Sequence, residues 1–182
     1  MSELSPEYAA ARLLAAQKAI GTGVWVKDLS FDIPIHFDTF THYSSVCNGV
    51  RIPTCEGCTI KAGGVALVLY SGGWNVGRIN YTLAHEIGHI ILGHDGTKSY
   101  EEVYANRFAS ALTIPFAPLR ALGKVGKEQV AEFFGCSVSA ASVALERADV
   151  FTEFDSDILK LYAHKLDRYR ESVNPLDILG DM

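Results

Sequence analysis

One stretch of the chain, residues 82–92, is strongly apolar and yet contains three ionisable side chains. It begins Thr-Leu-Ala and ends Ile-Ile-Leu, and residues 85–89 between these runs read His-Glu-Ile-Gly-His. The apolar flanks predict a buried helix. Burial of two histidines and a glutamate is costly unless a partner satisfies them, so this cluster requires an interior partner.

The spacing of His85 and His89 suits a single metal ion. Positions i and i+4 lie on one face of a helix, about one turn apart. Both imidazoles can therefore reach one tetrahedral zinc ion at ~2 Å, and Glu86 can reach a water bound to that ion. Zinc lowers the pKa of such a water toward ~7, so Glu86 is predicted to act as a general base. The alternative is that the histidines are satisfied core residues and Glu86 pairs with an arginine.

Two residues compete for the third ligand position. Glu102 opens the next predicted helix, where it shares one face with Asn106 at the i+4 position. Glu102 can then bind the metal while Asn106 accepts the Nδ1 proton of a ligand histidine. Asp95 stands where metzincins place their third ligand, but Leu92 occupies the place of the required glycine. Glu102 is therefore the predicted ligand, with Asp95 as the alternative.

The remaining pattern predicts an α+β fold for the 182 residues. A helical pattern opens at Ser5 and Pro6 and runs to about Ile20. Short β-branched and aromatic runs, separated by turn residues, then predict a small, mostly antiparallel sheet. These runs are residues 24–26, 31–37 and 64–70. We expect residues 1–115 to form the core that carries the metal site, with residues 116–182 as a helical subdomain packed on it.

From about Gly77 onward the pattern is helical almost to the end. A buried helix ends at Gly93, a second closes at Pro115, and a last amphipathic helix spans residues 153–170. Between them, residues 125–134 and 138–147 form a helix pair around a glycine turn, with the spacing of a helix-turn-helix. The second helix of that pair has little positive charge for phosphate contacts, so we expect a packing or docking role.

Composition narrows the classes of function. The net charge is −5, whereas nucleic-acid binders are more often basic, so direct nucleic-acid binding is not expected. No run reaches the ~18 apolar residues of a membrane span, and residues 1–20 do not resemble a secretory signal. We therefore expect a cytoplasmic protein that does not bind membranes.

Two longer sequences resemble a known family. Residues 81–92 read Tyr-Thr-Leu-Ala-His-Glu-Ile-Gly-His-Ile-Ile-Leu, and residues 102–115 read Glu-Val-Tyr-Ala-Asn-Arg-Phe-Ala-Ser-Ala-Leu-Thr-Ile-Pro. Together they resemble the ImmA/IrrE family of zinc metallo-endopeptidases, and the likeness is strong over residues 65–115. The resemblance implies that His85, His89 and Glu102 bind Zn²⁺, that Glu86 is the base, and that Asn106 occupies the family's Asn or Asp position. It also implies cytoplasmic cleavage of a transcriptional repressor, often in phage, mobile-element or stress regulons.

Two hypotheses for function follow. The first is a site-specific endopeptidase that acts on a repressor. The second is a non-catalytic regulator that binds a transcription factor and keeps zinc as a structural element. Glu86 favours the first hypothesis, because a purely structural metal site has no need of a base.

The cysteine-containing stretch of residues 47–58 departs from what we associate with the family. Cys55 and Cys58 form a C-x-x-C pair, with Cys47 and His42 upstream. The four could form a Cys₃His structural zinc site, and a redox pair is also possible. The alternative is two thiols on a β-turn, which a lone C-x-x-C does not exclude.

Two further features bear on how a peptide would be bound and cleaved. Tyr100 and Tyr104 flank Glu102, and a tyrosine hydroxyl could stabilise the oxyanion of a tetrahedral intermediate. A sheet edge can align an extended peptide by main-chain hydrogen bonds, and we expect that edge near residues 65–70. The other histidines, His94 among them, are predicted to lie on the surface or in loops.

Overall fold

The computed structural model describes residues 5–18, 23–48, 55–148 and 154–172. In these ranges the chain forms eight α-helices, one 3-10 turn and a three-stranded sheet. The predicted α+β class is therefore confirmed. Among the described residues, no helix is long and apolar enough to cross a membrane.

Helix α1, Pro6–Ala15, opens the fold and packs on the rest of the core. The Ser5 hydroxyl accepts the Tyr8 N–H at 3.2 Å, which caps the helix, and proline is favourable in its first turn. The helix ends at Ala15, short of the predicted Ile20, which lies outside the described residues. On its buried side, Glu7 accepts two hydrogen bonds from Arg107, at 2.7 and 2.8 Å.

The first predicted strand, residues 24–26, is not a strand. Val24 and Val26 are buried, and a 3-10 turn follows at Val26–Asp28. The Asn80 side chain accepts the Val26 N–H at 2.9 Å and donates to the Val24 carbonyl at 2.7 Å. Because a side chain satisfies these backbone groups, the apolar residues are buried without joining a sheet.

The sheet contains β1 (Ile35–Thr39), β2 (Gly57–Ala62) and β3 (Val65–Tyr70), and helix α2 (Phe40–Val46) follows β1. The strand order is β1-β3-β2; β1 pairs parallel to β3, and β2 pairs antiparallel. The sheet is thus mixed, whereas the sequence predicted a mostly antiparallel one. The expected edge at residues 65–70 was wrong, because β3 is the central strand and β2 forms the edge that the metal site faces. Four of the six residues of β3 are buried, namely Ala66, Val68, Leu69 and Tyr70, as expected for a central strand.

Two antiparallel helices, α3 (Val76–Ile91) and α4 (Glu101–Thr113), form the centre of the molecule. They approach most closely at Gly88, where an added Cβ would lie 3.2 Å from the Ala105 Cα. Ile87 and Phe108, both fully buried, join the hydrophobic core beside this contact. The glycine of the His-Glu-Ile-Gly-His motif therefore sets the separation between the two helices.

The C-terminal part consists of α5 (Phe116–Ala121), α6 (Lys127–Phe134), α7 (Val138–Glu146) and α8 (Asp155–Ser172). Helix α5 was not predicted, because Pro115 indicated a stop; the proline instead occupies the N-cap of this short helix. Gly135, with φ of 68°, makes the left-handed turn between α6 and α7. One hydrophobic cluster includes residues from both sides of residue 115. The boundary between core and subdomain stays a prediction.

Candidate metal centre

Helices α3 and α4 bring three ligand-type side chains to one point between them. His85 and His89 lie one turn apart on α3, and their Nε2 atoms are 3.0 Å apart. Glu102, in the first turn of α4, places its carboxylate oxygens 3.3 Å from His85 Nε2 and 3.4 Å from His89 Nε2. Within the described ranges, this is the one group of at least three His, Cys, Asp or Glu residues whose ligand atoms lie within 4.8 Å of one another.

These separations fit a bound metal ion. In a tetrahedral site with ligand distances of ~2.0–2.1 Å, neighbouring ligand atoms are about 3.3 Å apart. The three measured separations, 3.0, 3.3 and 3.4 Å, cluster around that value. Two nitrogens and a carboxylate are also a donor set that a divalent cation accepts. His85, His89 and Glu102 can therefore hold a metal ion between the helices.

The Nδ1 atom of each imidazole also has a partner. His85 Nδ1 lies 3.1 Å from Asn106 Oδ1, and His89 Nδ1 lies 3.0 Å from His94 Nδ1. When each ligand histidine donates its Nδ1 proton to this partner, its Nε2 is left with a lone pair directed at the common point. Such partners fix the tautomer and the orientation of a metal-binding ring. Asn106 is placed as the sequence predicted.

The turn after α3 explains the position of His94. The His94 N–H donates to the His89 carbonyl at 3.0 Å, and the Gly93 N–H donates to the Ile90 carbonyl at 3.2 Å. With Gly93 at φ of 70°, this is a Schellman motif, which folds the chain back over the last turn of the helix. His94 lies in the loop after α3, as predicted, and its ring also contacts His89.

Electrostatics favour the neutral forms of His89 and His94. Burial lowers the pKa of His89, and the neighbouring His85 lowers it further. Burial also lowers the pKa of His94. A neutral imidazole is the form that coordinates a metal, so these pKa shifts keep the site ready for binding near neutral pH.

Glu86 lies beside the triad but does not join it. The residue is only 7% exposed, and its Oε2 accepts a hydrogen bond from the Thr59 hydroxyl at 2.7 Å. Burial raises the pKa of its carboxyl group, while the Thr59 hydrogen bond opposes that rise. The carboxylate is therefore a stronger base than an exposed one, and it is free of the metal ligands.

All of these groups open into one cleft of about 890 Å³. Edge strand β2 and α3 form its walls, and Glu102 and Asn106 of α4 close one side. A cleft of this size accommodates several residues of a peptide or a small molecule. The buried carboxylate of Glu86 and the three possible metal ligands, His85, His89 and Glu102, thus face the same cleft.

The family comparison matches this region of the chain. Residues 72–146 match the family model of the IrrE N-terminal-like domain, which is named as a peptidase family. The predicted resemblance to the ImmA/IrrE family is confirmed by this match, which covers less than half of the chain. No curated protein and no solved structure matches the chain.

Within the matched residues 72–146, Tyr100 and Tyr104 lie away from the candidate metal centre. Their rings pack against each other at 4.9 Å and line a second cavity of about 430 Å³. Each tyrosine stands two positions from Glu102 along α4 and its N-cap, which turns the tyrosine side chains away from the side that carries Glu102. The structure therefore does not bring either tyrosine to the place where an oxyanion donor is needed.

Asp95, the alternative third ligand, is also not part of the triad. Its carboxylate accepts the backbone N–H of Thr97 at 3.1 Å and the hydroxyl of the same residue at 2.5 Å. These local bonds lower the pKa of Asp95 and hold it in the turn after α3. Asp95 lines the cleft, but its oxygens lie outside the group that meets at the metal centre.

The second metal site, proposed for His42, Cys47, Cys55 and Cys58, is not assembled. All four lie within the described residues, yet no three of them converge as His85, His89 and Glu102 do. His42 Nδ1 lies 2.8 Å from Asp38 Oδ2, and none of the three cysteines forms a disulfide. Cys55 and Cys58 line the cleft, at the start of β2.

Sequence reasoning missed three residues at the centre. His94 had a signal, since the residue after the glycine of a Schellman motif returns over the helix end. Tyr81, one turn before His85, places its hydroxyl 3.3 Å from Asn106 Oδ1, and helical periodicity could have suggested it. Thr59 had none, because strand β2 was not predicted and its contact with α3 is tertiary.

Proposed function

We propose that this protein is a zinc-dependent endopeptidase that cleaves a transcriptional repressor at a specific site in the cytoplasm. The observation that carries the proposal is the placement of Glu86. A buried carboxylate with a raised pKa stands beside the triad, outside it, and faces the same cleft. A metal that only stabilised the fold would have no use for such a base.

In this proposal His85, His89 and Glu102 hold the zinc ion, and Asn106 and His94 orient the two imidazoles. Bound zinc supplies a Lewis acid that polarises the peptide carbonyl and lowers the pKa of water toward ~7. Glu86 takes the proton of the attacking water at a carboxylate oxygen and then delivers it to the amine of the leaving peptide. The C–N bond breaks as that nitrogen is protonated, and the carboxylate is regenerated.

Strand β2 is suited to hold the substrate chain beside these groups. The Ser71 N–H donates to the Glu56 carbonyl at 2.9 Å, so Glu56 is bonded toward β3. In an antiparallel pair, successive residues of a strand direct their backbone N–H and C=O groups alternately toward the partner strand and away from it. Since Glu56 is directed toward β3, Gly57, Thr59 and Lys61 direct their backbone groups to the open edge. An extended peptide that adds to this edge would run along the cleft wall, next to Glu86.

The test is Glu86→Gln, in co-expression with the repressor encoded beside this protein. The substitution keeps the size of the side chain and all three ligands. The variant should fold, retain zinc and bind the repressor, yet cleave it ~10²–10⁴-fold more slowly, the usual contribution of acid-base catalysis. Mass spectrometry of the repressor fragments gives the rate and the cleaved bond.

Glu128→Gln is the matched control, because Glu128 is an exposed residue of α6 that does not line the cleft. It should cleave at the wild-type rate. If Glu86→Gln relieves repression as well as wild type does while the repressor stays intact, the protein is the non-catalytic regulator of the second hypothesis. In that case zinc has only a structural role.

A further inference from the structure

One face of β2 lies along α3, and every second residue of the strand contacts that helix. Thr59 contacts Glu86, and Lys61 donates to the carbonyl oxygens of His89 and His94, each at 3.1 Å. Gly57, at the start of the strand, lies against Thr82 and Glu86. A period of two is the period of one strand face, so a single face of β2 follows the metal-binding helix over more than two turns.

Thr59 makes the one hydrogen bond to the Glu86 side chain among the residues that the structure describes. Its hydroxyl donates to Oε2 at 2.7 Å. A glutamate side chain has several rotatable bonds, and a single short hydrogen bond to a residue on a paired strand selects one rotamer. With Oε2 engaged by Thr59, Oε1 is the oxygen left to accept a proton.

Gly57 leaves the space that this rotamer needs. A Cβ at this position would lie 3.1 Å from both Cγ and Oε1 of Glu86, and 2.7 Å from Cγ2 of Thr82. Its φ is not in the left-handed region, so the backbone conformation does not require glycine. The requirement is steric, because any side chain here would displace Thr82, the Glu86 carboxylate or the strand.

We propose that strand β2 positions the general base, with Thr59 as the positioning residue for Glu86 and Gly57 as the space that the carboxylate occupies. This inference rests on the proposed peptidase function. Gly57, Thr59 and Lys61, which contact α3 or the loop after it through one face of the strand, also direct their backbone N–H and C=O groups to the open edge. Substrate alignment and base placement therefore depend on one strand, which fixes the substrate chain in register with Oε1.

The test compares Thr59→Val, Thr59→Ser and Gly57→Ala in zinc-loaded protein. Thr59→Val keeps the shape and the β-branch but removes the donor, whereas Thr59→Ser keeps the donor. Crystal structures should show Glu86 displaced in Thr59→Val and Gly57→Ala and in place in Thr59→Ser. Each variant should hold zinc as wild type does.

The kinetic arm uses the purified repressor of the Glu86→Gln experiment. Thr59→Val should lower kcat by about 10²-fold with little change in KM, since a misplacement of ~1 Å can cost that much. Thr59→Ser should recover most of the rate. Glu128→Gln is again the control, because Glu128 is an exposed residue of α6 that does not line the cleft, and it should match wild type.

Three results would overturn the inference: Glu86 in its wild-type position in Thr59→Val, loss of zinc from that variant, or no recovery with Thr59→Ser. The first would mean that other contacts hold the base, and the second that Thr59 acts through the metal site. If even wild type leaves every repressor intact, the proposed function fails. The crystal structures still decide whether β2 positions Glu86.

Discussion

The α3–α4 helix pair and the elements α2 and β2 both carry side chains that can bind a metal ion. Only the helix pair brings three of them together. In the helix pair, three ligand atoms from His85, His89 and Glu102 meet within 4.8 Å. In the other segment, His42 contacts Asp38, and Cys55 and Cys58 contact each other, but no third ligand-type side chain joins either pair. The chemistry of the side chains is equally suitable in both regions, so the difference lies in the backbone that carries them.

A helix sets the distance between ligands before any tertiary contact forms. His85 and His89 share a face because of the 3.6-residue period, whatever the rest of the chain does. His42 and Cys47 lie at α2, whereas Cys55 and Cys58 lie at the start of β2. Their separation depends on how two elements pack, and here burial also raises the pKa of Cys58 to about 11, which disfavours the thiolate that a metal requires.

The largest expected difference between the two regions is in metal content. Wild-type protein should hold about one zinc ion per chain, and His85→Ala or His89→Ala should hold almost none, because two protein ligands rarely retain zinc against a chelator. The double variant Cys55→Ser/Cys58→Ser should keep the wild-type amount. Inductively coupled plasma mass spectrometry after dialysis measures each. Zinc loss in the cysteine variant would show that the α2–β2 segment does bind metal.

The next effect separates Glu102 from Asp95. Glu102→Gln removes the charge of a ligand whose oxygens lie 3.3 and 3.4 Å from the two histidine nitrogens, so zinc affinity should fall strongly and cleavage should stop. Asp95→Asn should change little, because Asp95 is engaged with Thr97. A competition titration with a chromophoric chelator compares the two. The opposite order would assign the third ligand to Asp95.

A smaller effect is expected at Asn106, which touches a ligand but not the metal. Asn106→Ala removes the acceptor of the His85 Nδ1 proton and should weaken zinc binding by ~10–100-fold, as loss of such orienting partners does. Asn106→Asp retains an acceptor and should bind zinc almost normally. The same chelator competition measures both variants, and equal affinities for Asn106→Ala and wild type would remove Asn106 from the site.

The smallest expected effect is on folding, at Gly88. An added methyl group would lie 3.2 Å from Ala105 Cα and 3.3 Å from its carbonyl oxygen, and backbone atoms cannot move aside cheaply. Overpacking costs ~1–3 kcal/mol, while alanine in place of helical glycine gains ~1 kcal/mol, so Gly88→Ala should destabilise the apoprotein by about 1 kcal/mol. Urea unfolding measures this, with Gly73→Ala, an open position, as the control. An unchanged midpoint would mean that α3 and α4 can separate without cost.

Periodicity explains which contacts at the candidate site could be predicted from the sequence. Asn106 could be placed beside His85 because it shares a helix face with Glu102, and the structure has it 3.1 Å from His85 Nδ1. The same reasoning excludes Tyr100 and Tyr104, which stand two positions from Glu102 on the other side of α4. Their nearness in sequence suggested a role that the helix geometry does not permit.

Short elements explain the failures in the fold. Val24 and Val26 are buried and β-branched like strand residues, but the Asn80 side chain binds their backbone, and Asn80 is remote in sequence. Helices α2 and α5 are too short for a helical period to be distinguished from a turn. The mixed sheet follows from the position of β1 on the far side of β3, which no local pattern specifies.

The sequence by itself determined the helices of the metal centre and the faces on which His85, His89 and Glu102 lie, because i and i+4 contacts are local. Only the tertiary structure decided what surrounds them. It brought Thr59 and Gly57 to Glu86 from an edge strand, left His42 and the three cysteines without a common meeting point, and folded His94 back onto His89. These contacts join separate elements, and their geometry is set by how whole helices and strands pack against one another.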